Sequence, residues 1–188
     1  MKKGLFLTVM LLIVLTVVSA EDNGERIWKL LPEYHNLHWN MITETITEKE
    51  NQRLNVVYSE LITLYGITND QLAEQKETGQ ITGWPSTTVL QNFGFPNLKQ
   101  PTGTKSSYIF GVYGLEIIIA DANASTLQDI KRQVERISGE QMLFNNDTRT
   151  SGFGTYTGIM PRGNIPNNII DLKLVGNQLE ISLRWNAG

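Results

Sequence analysis

The stretch Ile169-Ile170-Asp171-Leu172-Lys173-Leu174-Val175-Gly176-Asn177-Gln178-Leu179-Glu180-Ile181-Ser182-Leu183-Arg184-Trp185 decides the fold. Ile170, Leu172 and Leu174 alternate with polar residues, as do Leu179, Ile181, Leu183 and Trp185, and Gly176-Asn177 supplies a tight turn between the two runs. A period of two puts all the apolar side chains on one side of the strands. The end of the chain is therefore a hairpin with one buried face, and other elements must cover that face.

Working back from the hairpin, Phe144 to Asn168 is rich in Gly, Asn, Thr and Pro and reads as a long surface loop with one short strand near Tyr156. Before it, Leu127, Ile130, Val134 and Ile137 mark the apolar face of a helix. Ser125 with Gln128 fits a capping box at its start, and Gly139 ends it. Tyr108–Val112 and Leu115–Ala120 are rich in β-branched and aromatic residues around Tyr113-Gly114, so they form a hairpin or one long bent strand. Pro85 and Ser86 open a short helix that Gly94 closes, while Thr68 to Thr82 is mostly polar loop with a helical turn near Gln71 to Glu77.

Glu25 to Tyr65 has a helical pattern. Ile27, Leu30 and Leu31 form an apolar cluster ended or kinked at Pro32. Leu37, Met41, Ile42 and Ile46, then Leu54, Val57, Leu61 and Leu64, recur at helical spacing on either side of the polar run Thr47 to Arg53. The expectation is one long helix, wet in the middle, whose second half is gripped by a globular domain and which Gly66 stops. Helices segregated from an antiparallel sheet make the fold class α+β.

The first residues carry an export signal. Lys2 and Lys3 are followed by an apolar run of about 14 residues, Leu5 to Val18, and Val18-Ser19-Ala20 offers small residues just before Glu21. The run is shorter than the roughly 20 residues of an ordinary membrane-spanning helix. Cleavage between Ala20 and Glu21 is expected, with at least transient contact at the inner membrane and residence in the periplasm or at the cell surface; a retained inner-membrane anchor is the alternative. The resulting division is 1–20 export segment, 21–53 helical stem and 54–188 globular domain.

Loss of Lys2 and Lys3 takes the formal net charge from −3 to about −5. No basic run is present, so no nucleic-acid contact is expected. The chain has no cysteine, which excludes disulfides, thiolate metal sites and cysteine nucleophiles.

Candidate chemistry is sparse. His35 and His38, the only histidines, lie at i and i+3 and would need Glu33 or Glu44 to complete even a partial metal site. Gly152 to Gly158 lacks the GxGxxG spacing and a following helix for a phosphate. Ser59, Ser86 and Ser182 lie in no nucleophile motif, and Glu116, Asp171 and Glu180 on strands, with Asp121 beside one, fit a solvent face as well as an acid–base pair. No catalytic, cofactor-binding or metal residue is assigned. The aromatics Trp84, Phe93, Phe95, Tyr108, Phe110, Tyr113, Phe153 and Tyr156 either fill the core or form a binding surface.

Specific segments resemble the type IV pilins, in particular the type IVb class. Leu54 to Tyr65 looks like the end of the pilin helix, Trp84 to Pro96 like the short helix of the following loop, and Leu115–Ala120 followed by Ser125–Val134 like a sheet strand running into a helix. The closing hairpin sits where those pilins end in strands. The resemblance implies a non-enzymatic subunit or accessory of a pilus or related transfer or secretion apparatus, with other pilins or assembly proteins as partners. It also implies a rival cleavage point between Gly4 and Leu5.

Two departures qualify what the resemblance implies: there is no cysteine for the usual C-terminal disulfide, and Val9 stands where pilins carry a glutamate at the fifth mature position. An exported ligand-binding or adhesive module using the Asn145 to Asn168 loop, and a periplasmic hydrolase, are the competing expectations.

Overall fold

The computed structural model describes residues 23–145, 155–162 and 165–185. Its helices are α1 (Asn23–Ile42), α2 (Glu48–Tyr65), α3 (Asn69–Thr78), α4 (Thr87–Asn92) and α5 (Ala124–Ser138). Its strands are β1 (Ile81–Thr82), β2 (Lys105–Gly111), β3 (Gly114–Ala120), β4 (Leu143–Asn145), β5 (Thr155–Arg162), β6 (Ile165–Val175) and β7 (Gln178–Trp185). The strands form one antiparallel sheet in the order β1-β2-β3-β7-β6-β5-β4, so the class is α+β.

The quoted hairpin is β6 and β7, in the register Ile170↔Leu183, Leu172↔Ile181 and Leu174↔Leu179. Those residues and Leu115, Ile117 and Ile119 of β3 point to one side of the sheet, where the helices cover them. Burying each such aliphatic side chain is worth about 1.5–3 kcal/mol. The other side mixes charged and polar residues with Ile109, Ile118, Ile159 and Ile169. The choice left open at Tyr113-Gly114 resolves as a hairpin, with Gly111 opposite Gly114.

The expectation of one long helix from Glu25 to Tyr65 is corrected. The chain reverses over residues 43–47 and α2 runs back along α1. Arg26 reaches Glu60, and Arg53 makes a two-pronged pair with Glu33 at 2.7 and 2.8 Å. Pro32 lies within α1 and does not end it. The break has a local cause: the Thr47 side chain accepts from the Glu50 amide while the Glu50 carboxylate accepts from the Thr47 amide, so a new helix is nucleated there. Glu44, at φ 57°, helps turn the chain.

Further corrections concern boundaries. The helix α5 is capped by Asn123, whose side chain accepts from the Ser125 and Thr126 amides, and not by Ser125. The segment 68–82 holds the ten-residue α3, and the described part of 144–168 is strand throughout, the short strand expected near Tyr156 being the eight-residue β5. Gly158 shows why glycine serves a strand there: an added Cβ would lie 3.1 Å from Ile170 Cγ2 and 3.3 Å from Met142 Cγ.

Both sheet edges are short, β1 having two residues and β4 three. Beyond β1, the Gln75 side chain pairs with the edge of β2. Its Oε1 accepts from the Phe110 amide at 2.7 Å, and its Nε2 donates to the Phe110 carbonyl at 2.9 Å.

Candidate functional site

The inner side of α1 is fixed by burial of Ile27, Leu31 and Tyr34, while Leu30 and Leu37 pack more loosely against the same core. This leaves the flank of α1 that faces the β2–β3 turn and the end of β7. On that flank Trp28 stacks on Trp185 with ring centres 6.1 Å apart, and His35 meets the Tyr113 ring edge-on at 6.2 Å. The result is an aromatic groove of about 440 Å³, walled by Trp28, Pro32, His35, Asn36, Tyr113 and Trp185 with Leu31 at its base. Its size suits a small ligand or a single protein element.

The groove has rigid supports. The Trp185 indole donates to the Tyr65 hydroxyl at 2.7 Å, and that hydroxyl donates to the Val112 carbonyl at 2.7 Å, so the last strand, α2 and the β2–β3 turn are tied together under it. Tyr65 also packs on Phe93 and Phe110. Partial burial, and then the neighbouring Tyr34 phenol, push the Tyr113 phenol up to about 12, so it stays a neutral hydroxyl at physiological pH. Beyond the groove the same helix exposes Trp39 and Ile42, each 59% accessible.

The metal candidates are engaged elsewhere. His38 lies flat against Tyr34 at 5.4 Å, His35 meets Tyr113, and Glu33 is held by Arg53, whose hydrogen bond keeps its carboxyl below the usual range. Among the described residues, no group of three or more His, Asp or Glu is placed to hold a metal.

The carboxylates on strands do come together, on the open side of the sheet. The register aligns Glu116, Ser182, Asp171 and Thr157 in one row and Ile118, Glu180, Lys173 and Thr155 in the next. Asp171 accepts from Thr157 Oγ1 at 2.6 Å and pairs with Arg184, and Glu180 lies 3.8 Å from Lys173. These pairs balance charge across neighbouring strands. Asp121 is apart from them, in the turn after β3, near Asn177.

The serines are likewise accounted for. Ser59 Oγ donates to the Asn55 carbonyl at 2.8 Å, Ser86 Oγ accepts from the Val89 amide to cap α4, and Ser182 faces away from the helix that carries both histidines. Of the aromatics expected as core or surface, Phe93, Phe95, Tyr108 and Phe110 are core, and Tyr113 remains 40% exposed. Phe153 and the rest of the segment 152–154, together with the cleavage points Gly4-Leu5 and Ala20-Glu21, lie outside the described residues.

Sequence reasoning missed Trp28 and Trp39 as a surface, while Trp185, expected on the buried face of the last hairpin, is buried there and walls the groove from within. The available signal was spacing: Trp28, Pro32, His35, Trp39 and Ile42 fall four and three residues apart in alternation, while the buried set is Ile27, Leu31 and Tyr34. The helix has two apolar faces, and the pattern of the core hides the second. No protein-family model matches the chain, and no curated protein is detectably similar to it.

Proposed function

We propose that this chain is a non-enzymatic, pilin-like subunit or accessory of a type IVb-type pilus or a related transfer or secretion apparatus of the cell envelope. The observation that carries the reading is the grip of the sheet on α2. Leu54, Val57, Leu61 and Tyr65 are buried along one side of that helix, and the Tyr65 hydroxyl joins it to both Val112 and Trp185. Around this grip the chain runs through a short helix, a β-hairpin, a helix and a final β-hairpin.

The folded-back α1 favours an accessory over a fibre-core subunit. A chain cut after Ala20 begins Glu21-Asp22-Asn23-Gly24-Glu25-Arg26, and burying those charges in a bundle of apolar stems would cost several kcal/mol for each unpaired charge. No helix among the described residues is long and apolar enough to cross a membrane.

Mass spectrometry of the mature protein, together with its co-purification, tests the proposal. A chain starting at Glu21 that co-purifies with a pilus or its assembly proteins is the expected result. An N-methylated Leu5 would make it a fibre subunit instead, and absence from every pilus and assembly fraction would overturn the reading.

A further inference from the structure

Asp121-Ala122-Asn123-Ala124-Ser125 runs from the end of β3 into α5. Asn-x-Ser/Thr with no proline in the middle is the acceptor signature of N-linked glycosylation. The chain holds it twice, at Asn123 and at Asn146-Asp147-Thr148. Only Asn123 has an acid two positions before it, because Phe144 stands there for Asn146. That acid completes the stricter five-residue acceptor of bacterial-type oligosaccharide transfer, in which it gives the transferase a charge to pair with.

The fold presents these residues as the reaction requires. Asp121, Asn123, Ala124 and Ser125 are exposed, and buried Ala122 pins the turn by donating its amide to the Asn177 carbonyl at 2.7 Å. The Asn123 Oδ1 accepts from the Ser125 and Thr126 amides at 2.9 and 3.1 Å. With the oxygen held against the helix, the planar carboxamide turns its nitrogen away, and Nδ2 donates to no described residue. The Ser125 hydroxyl is equally unengaged among the described residues. The Asp121 carboxylate meets only the Asn177 carboxamide among them, at 3.5 Å, and stays open to a cation.

We propose that Asn123 is an N-glycosylation site, which accepts an oligosaccharide from a lipid-diphosphate donor once the chain has been exported. In the transfer, Nδ2 bonds to the anomeric carbon of the first sugar and gives up one proton. The bond from that carbon to the diphosphate oxygen breaks, and the lipid diphosphate leaves with the electron pair. Oδ1 keeps both of its amide donors throughout, so the cap on α5 survives the modification. The whole of β3, about 20 Å, separates the site from Tyr113, so the glycan leaves the aromatic groove uncovered.

This inference goes beyond the pilin-like reading and shares with it only export. The two fail separately: a chain of bare peptide mass in a pilus fraction would end this inference and leave that reading standing. A glycosylated chain absent from every such fraction would do the reverse.

The test is intact-mass and glycopeptide mass spectrometry of the mature chain taken from its own cell envelope. The expected result is an increment of one oligosaccharide on the peptide that holds Asn123. Asn123→Asp should abolish the increment and keep the fold, because a carboxylate accepts from the same two amides. Ser125→Ala, at a hydroxyl the described fold does not use, should abolish it as well. Asp121→Asn should lower occupancy at least tenfold, and asparagine tolerates the φ of 56° at that position. Asn146→Gln should leave the increment unchanged. A mature chain of bare peptide mass overturns the proposal, as does a glycan that survives Asn123→Asp.

Discussion

The two helices of the N-terminal hairpin, α1 and α2, are finished in opposite ways. The helix α2 begins on the Thr47–Glu50 box, ends on Gly66 in the left-handed conformation, and buries Val57, Leu61 and Tyr65 completely. The helix α1 buries Ile27, Leu31 and Tyr34 and then exposes Trp39, Met41 and Ile42 toward its end. The apolar side chains of α2 hold the domain together, whereas several of those on α1 stay in contact with solvent.

The largest effect should come from Leu61→Ala, which removes a fully buried side chain between α2 and the sheet and should cost about 3 kcal/mol in urea unfolding. Ile42→Ala on α1 should change stability by no more than about 0.5 kcal/mol. Comparable losses at the two sites would break the contrast, because Ile42 would then be a core residue. Next comes Gly66→Ala, about 2 kcal/mol by thermal unfolding. Its φ of 77° suits glycine, and a Cβ there would lie 2.8 Å from Thr88 Cγ2.

The smallest effect concerns the clamp between the helices. The hydrogen bond from Arg53 is the main reason that Glu33 titrates below the usual carboxylate value. A group depressed by folding adds stability above its unfolded value, near 4.3, and loses it as pH falls through the folded value. Wild type should therefore lose its advantage over Glu33→Gln as pH falls below about 4.3, as measured by urea midpoints. Both side chains are more than a third exposed, so the difference will be slight. An advantage that grows on acidification would remove the clamp from the account.

The sequence showed most of the sheet and little of the groove. Alternation in β6 and β7, β-branched runs in β2 and β3, and the stop at Gly66 are local signals that tertiary structure had only to accept. The reversal at residues 43–47 was hidden because helical apolar spacing continues on both sides of it. The Thr47-x-x-Glu50 box that marks the restart looks like ordinary polar sequence within a long helix. The strand expected near Tyr156 is β5, but its eight-residue length was concealed by composition: Gly158 reads as loop until Met142 and Ile170 are seen to fill the space above it. The groove joins Trp28, Tyr113 and Trp185, three residues far apart in the chain, and only the folded hairpins bring them together.

Gln75 has an effect beyond its own two hydrogen bonds. By occupying both the amide and the carbonyl of Phe110, its carboxamide ends one margin of the sheet as a single-residue strand would. At the opposite margin β4 is only three residues long, and past it β5 carries Pro161 and a register shift between Met160 and Arg162. A neighbouring chain seeking to add a strand would find few free backbone groups in line. The fold thereby resists growth by strand addition, the route that leads to amyloid, at both margins of its described sheet.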